Sequence, residues 1–151
     1  MALDPAETSR AAAANDGSGT PAVFPRNCIG LDSWANVHMI CHPKNHPNQK
    51  FEHTLVLASG EGTPCYRSVG KKGVPRCHVP WNDNGDNIDL FSEGLLWERG
   101  CSIHRCDTHT LTTPTGRVIQ CKMWGNLPHI TKDELHRVIG DLPDEALPGR
   151  S

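Results

Sequence analysis

Short apolar segments separated by turn-forming residues fill the middle of the chain. Each segment is rich in Val, Ile, Leu, Thr or Cys, and Gly, Pro, Asn or Asp residues lie between them. This pattern is typical of β-strands. It predicts strands at residues 28–31, 37–40, 54–58, 77–79, 101–104, 111–113 and 117–123. Pro114 and Gly116 predict a tight turn between the last two, because proline presets one turn dihedral and glycine accepts a positive one.

Two segments carry helix signals instead. Ser92 is a suitable N-cap for a helix over residues 93–99, and Gly100 is a suitable stop. Thr131 and Glu134 have the spacing of a capping box ahead of an apolar run. Many short strands with one or two short helices predict a mainly β fold, either a small closed barrel or a sandwich.

The two ends of the chain differ from this middle part. Residues 1–26 are mostly Ala, Gly, Ser, Thr, Asp and Pro, so we expect a disordered N-terminal arm. Residues 27–130 are expected to form one domain, and residues 131–151 a C-terminal helix followed by a flexible tail. A total of 151 residues suits one domain and is too short for two well-packed ones.

Net charge and hydropathy argue against nucleic acid and membranes as binding partners. The formal net charge is -2, from 15 basic and 17 acidic residues, whereas a protein that binds duplex nucleic acid usually carries a basic surplus. No apolar run approaches the roughly 18 residues that a membrane span needs, and no secretory signal is recognisable. We therefore expect a cytoplasmic or intracellular protein that binds neither membranes nor nucleic acid directly.

Seven Cys and nine His residues raise the question of a metal site. An odd number of cysteines without a signal peptide favours reduced thiols or metal ligands over disulfides. No Cys-x2-Cys pair is present, and Pro43 and Pro47 interrupt a helix that would align His38, His42 and His46. We assign no metal ligand and no cofactor. A zinc-binding module that uses Cys101, His104, Cys106 or His109 stays open as an alternative.

The strongest chemical signal is Asp32. An apolar strand ends directly at this carboxylate, Ser33 follows, and a second apolar strand begins shortly afterwards. Such a carboxylate can be held rigidly and still face a cleft. It can also begin an Asx-turn, in which the side chain bonds the backbone two residues further on. The residues alone favour the Asx-turn and leave the functional interpretation open.

The surrounding sequence resembles a known family. Asp-Ser-x-Ala-x-x-His-Met at residues 32–39 is similar to the protease signature of copia-type retrotransposon polyproteins, Asp-Ser-Gly-Ala followed by His-Met. Downstream resemblances come in the family's order: Leu-Ala-Ser-Gly at 57–60, Val-Pro at 79–80, Asn-Ile-Asp-Leu-Phe-Ser at 87–92, and the helix, glycine and strand at 95–103. The Gly116 hairpin and Leu127-Pro128 resemble the closing segments.

This resemblance implies a retropepsin-like aspartic endopeptidase that processes its own polyprotein. Its fold would be a small closed β-barrel that forms half of a two-fold homodimer, with Asp32 as the catalytic residue of each chain. Ser33 would brace the catalytic loops across the dimer. Leu57, Ala58, Ser59 and Gly60 would belong to a mobile flap over the polypeptide substrate.

Trp34 departs from the family pattern, which has Gly at this position. The indole can turn outward and be tolerated, or it can crowd the dimer axis and abolish hydrolysis. The competing hypothesis is therefore a catalytically degenerate domain that serves in assembly or protein binding. Asp89 is a second irregularity, and we interpret it as a loop or helix-cap carboxylate without a catalytic role.

Overall fold

The computed structural model of the chain describes residues 23–41, 50–56 and 60–150. These residues form eleven strands, two α-helices and a short 3-10 turn at Lys71–Gly73. The strands are β1 Cys28–Asp32, β2 Met39–Cys41, β3 His53–Val56, β4 Gly62–Val69, β5 Pro75–Val79, β6 Leu90–Ser92, β7 Ser102–Arg105, β8 His109–Thr112, β9 Val118–Gln120, β10 Lys122–Trp124 and β11 Leu127–Thr131. The helices are α1 Glu93–Glu98 and α2 Lys132–Gly140.

Eight strands form one large sheet and three form a small one. The large sheet has the order β10-β11-β1-β6-β2-β5-β4-β3, and the small antiparallel sheet has the order β7-β8-β9. The mainly β prediction is confirmed. The closed barrel is not found among the described strands, because β10 and β3 end the large sheet without pairing to each other.

The position of β6 decides the local geometry around Asp32. It lies between β1 and β2, parallel to β1 and antiparallel to β2. The register places Gly30 beside Leu90 and Asp32 beside Ser92. The connection from β1 to β2 must therefore pass over the end of β6.

Alternate residues of the central strands enter two apolar clusters. Ile29, Leu31 and Phe91 belong to a cluster that includes residues of both helices and of the small sheet. Leu90 and Met39 belong to a second cluster with residues of β3, β4, β5, β10 and β11. Strands that are buried on both faces explain why β1 and β6 are apolar at nearly every position.

The helix signals in the sequence are confirmed. The Ser92 hydroxyl accepts a hydrogen bond from Leu95 N, and the Thr131–Glu134 capping box has both of its bonds. The strand expected over residues 117–123 is in fact two strands. The chain leaves the small sheet after Gln120, passes through buried Cys121, and enters the large sheet at Lys122.

Both ends of the domain carry more contacts than we expected. Phe24 lies in the arm predicted to be disordered, and its ring is 5.3 Å from that of Trp124 in an edge-on contact. In the segment expected to be a flexible tail, Leu142 is buried and Leu147 N donates to Glu98 O at 2.9 Å. Arg150 donates to Trp97 O at 3.1 Å. Among the residues that the structure describes, no helix is long and apolar enough to cross a bilayer.

Candidate functional site around Asp32

Asp32 is the last residue of β1 and is half-buried. The next two residues, Ser33 and Trp34, are exposed, and the chain then turns back towards β2. The carboxylate thus lies at an open turn between two strands. A carboxylate in this position is anchored by the sheet and accessible from outside.

The carboxylate is held by the backbone of its own turn. Trp34 N donates to Asp32 Oδ1 at 2.8 Å, which is the Asx-turn bond that the sequence left as an alternative. This bond fixes one carboxylate oxygen and does not exclude chemistry at the other. The Trp34 side chain is 74% exposed, so within one chain the indole points outward and does not crowd Asp32.

Two side chains fasten the 32–38 loop to the end of β6. The Ser92 hydroxyl donates to Ala35 O at 2.6 Å, and Ser92 N donates to His38 Nδ1 at 3.0 Å. Ser92 is completely buried, and Ala35 and His38 are also buried. The sequence did not reveal this arrangement, because residues 38 and 92 are far apart along the chain. The sequence contains only an indirect signal: His38 and Ser92 are polar residues within segments that are otherwise apolar.

His38 is buried against a phenylalanine. Its ring stacks on Phe91 with centroids 4.1 Å apart and an interplanar angle of 23°. Burial lowers the pKa of His38 to about 3, and the positive charges of Arg76 and Arg99 act in the same direction. The imidazole therefore stays neutral well into the acidic range and keeps Nδ1 as an acceptor.

The other predicted site residues are Ser33, which follows Asp32, and the four residues of the expected flap, of which only Gly60 is described. Ser33 is exposed beside Asp32, so its bond across a dimer stays a prediction. Gly60 is exposed with a φ of 89°. Leu57, Ala58 and Ser59 lie outside the described residues. On either side of them in the sequence, Val56 of β3 pairs with Gly62 of β4, and the flap stays a prediction.

Asp89 is not brought to Asp32. It precedes β6, whereas Asp32 ends β1, so the two carboxylates lie at opposite ends of this parallel pair. Cys41 N donates to Asp89 Oδ1 at 2.7 Å, and Lys132 Nζ lies 3.7 Å from Oδ2. Burial raises the pKa of Asp89, and the Cys41 bond and the charges of Lys132 and Arg76 oppose this rise. Asp89 joins β2 to the start of β6 and does not cap a helix.

The cysteines and histidines are dispersed. All seven cysteines are described, and none forms a disulfide. Cys101 is fully buried while Cys106 is exposed, and burial raises the pKa of the Cys101 thiol to about 12. No group of three or more His, Cys, Asp or Glu residues in the described part of the chain is arranged to hold a metal ion. His42 and His46 lie outside that part.

A buried carboxylate behind the loop was not anticipated. Glu93 follows Ser92 in the first turn of α1 and is only 3% exposed. Arg105 forms an ion pair with its Oε2, and His109 Nε2 lies 3.4 Å from its Oε1. Glu93 thus links the helix that begins behind Asp32 to β7 and β8 of the small sheet.

The fold and site define a mainly β domain with one carboxylate at an open interstrand turn. Comparison with protein-family models finds no match, and neither the curated proteins nor the solved structures include one that matches the chain.

Proposed function

We propose that this chain is a retropepsin-like aspartic endopeptidase domain of a retrotransposon polyprotein, which acts as a homodimer on polypeptide substrates. The observation that carries the proposal is the open turn at Asp32, where the carboxylate is anchored at the end of β1 and held by Trp34 N. The order of motifs from Asp32 to Leu127-Pro128 supports the same assignment.

Hydrolysis by this route needs two carboxylates side by side. Each chain supplies one Asp32, so a two-fold axis next to the turn has to bring a second copy. Two carboxyl groups at hydrogen-bonding distance do not both ionise, and the pair shares one proton. The charged member takes a proton from water, the hydroxide adds to the peptide carbonyl carbon, and the amine nitrogen leaves with a proton from the pair.

The β3–β4 hairpin suits the role of a cover over the substrate. Both of its strands are paired along their length, and β4 is also paired with β5. The Leu-Ala-Ser-Gly motif at residues 57–60 lies in the sequence between these two strands. A firmly anchored hairpin with a glycine near its end can open and close without disturbing the sheet.

A catalytically degenerate domain is the second candidate, and Trp34 is the observation that favours it. A side chain that is 74% exposed directly after Asp32 and Ser33 would lie near the axis of the proposed dimer. Two indoles there would either pack together or keep the carboxylates apart. In the second case the domain would keep its fold and serve in assembly or protein binding.

Peptide cleavage by the purified chain at mildly acidic pH tests both candidates. We expect wild type to cleave and Asp32→Asn to lose at least about 1,000-fold in kcat/KM, because an amide cannot act as the base. Trp34→Gly keeps the Asx-turn amide and removes the indole. Cleavage by Trp34→Gly alone would support the degenerate domain, and equal cleavage by wild type and Asp32→Asn would refute the protease proposal.

A further inference from the structure

The loop that carries Asp32 is held by Ser92, which is completely buried and therefore cannot contact a substrate. Ser92 is the last residue of β6, and its backbone N–H donates to His38 Nδ1 at 3.0 Å. Ser92 Oγ makes the second link, to Ala35 O in the middle of the loop.

The direction of the first bond fixes the chemical state of His38. A backbone N–H can only donate, so Nδ1 must carry its lone pair and the ring must be neutral with its proton on Nε2. Protonation would place a second donor against Ser92 N and break the link. Arg76 and Arg99 are the charged groups that act on His38, and both oppose its protonation.

We propose that His38 is a positioning residue for Asp32: its neutral imidazole accepts from Ser92 N and so holds the 32–38 loop in the shape in which Trp34 N meets Asp32 Oδ1. This inference rests on the proposed function for its catalytic consequence. Its structural consequence, an ordered Asx-turn at Asp32, does not depend on protease activity.

Two substitutions distinguish the role of the Nδ1 acceptor from that of the stacked ring. His38→Asn keeps an acceptor oxygen close to the place of Nδ1, whereas His38→Phe keeps the stack on Phe91 and removes the acceptor. His136→Phe on the exposed side of α2 is the matched control. The readouts are amide hydrogen exchange at Trp34, followed by NMR, and peptide cleavage with kcat and KM resolved.

We expect His38→Phe to raise the exchange rate of the Trp34 amide at least about 10-fold and to lower kcat by a similar factor, with KM changed less than about 2-fold. His38→Asn should restore both values to within about 3-fold of wild type. An unchanged Trp34 exchange rate in a folded His38→Phe protein would overturn the proposal. An equal rise in exchange rate and an equal loss of kcat in both variants would also overturn it, because the role would then belong to the ring.

If His38→Phe does not fold, His38→Leu takes its place, because leucine also fills the buried position without an acceptor for Ser92 N. Faster Trp34 exchange in His38→Leu than in His38→Asn is the expected result, and equal exchange in the two would refute the link. Ser92→Ala keeps the Ser92 N–H and removes the bond from Oγ to Ala35 O, so it tests only the second link, with Thr131→Ala as the matched N-cap control. If wild type cleaves no peptide, the protease proposal fails while the exchange data still test the role of His38.

Discussion

At the scale of single residues, His38 shows how far environment can override sequence context. Its spacing from His42 and His46 suggested a metal ligand, and its place in the motif suggested only a family signature. The structure instead gives it a stacking partner, Phe91, and a donor, Ser92 N. Both lie more than 50 positions along the chain, so local pattern could not reveal them.

The burial of His38 makes stability depend on pH. Its pKa is about 3 in the folded chain, below the ordinary value of 6.5, so the unfolded chain binds the extra proton between these values and stability falls as the solution is acidified. We expect a loss of about 2 kcal/mol from this residue between about pH 7.5 and about pH 5. Urea unfolding at both values should show a smaller pH difference in His38→Asn than in wild type. An identical pH difference in both proteins would contradict the assignment.

Gly30 is required for packing between β6 and β11. A Cβ added there would lie 2.6 Å from Leu90 Cδ2 and 2.8 Å from Leu127 Cδ2. We expect Gly30→Ala to destabilise the fold by about 1–3 kcal/mol, measured by urea unfolding. The matched control is Gly94→Ala at an exposed position of α1, where the nearest atom is 3.7 Å away and helix propensity should raise stability by about 0.5–1 kcal/mol. Equal effects of the two substitutions would show that the Gly30 contact can relax.

At the scale of elements, signals that are local in the sequence correspond to observed elements. Both N-caps and the strands that begin at Cys28 and near Cys77 follow from residues within a few positions of one another. β4 and β11 were missed because each contains a proline. Pro64 and Pro128 both occupy positions where the strand is paired on one side only, which is where a strand tolerates a missing donor.

The insertion of β6 between β1 and β2 could not be predicted from pattern. Its sequence resembles a motif of the proposed family, and only the fold shows that its last residue, Ser92, bonds the loop after Asp32. The candidate site is thus half local and half distant. Asp32, Ser33 and Trp34 are adjacent in the chain, whereas the residue that holds their loop, Ser92, comes from the end of β6.

At the scale of the whole molecule, the proposed activity requires a dimer, because each chain supplies one Asp32. If wild-type and Asp32→Asn chains are mixed in equal amounts and allowed to exchange, about one quarter of the dimers will contain two intact carboxylates. We expect activity to fall to about one quarter of that of the same total amount of wild type, measured as initial rates. A fall to only one half would mean that a single chain suffices, and the two-fold mechanism would be wrong.

The placement of β6 also determines the order in which parts of the chain can fold. The loop from Asp32 to His38 has no support until a segment more than 50 residues later has been made, reached the sheet and entered between its two strands. Contacts of such long sequence separation are slow to form, because closing the intervening loop costs entropy before the contact is made. During synthesis on a ribosome, Asp32 would therefore emerge long before Ser92 is available to order its loop. A protease built this way would stay inactive until most of its domain had been synthesised.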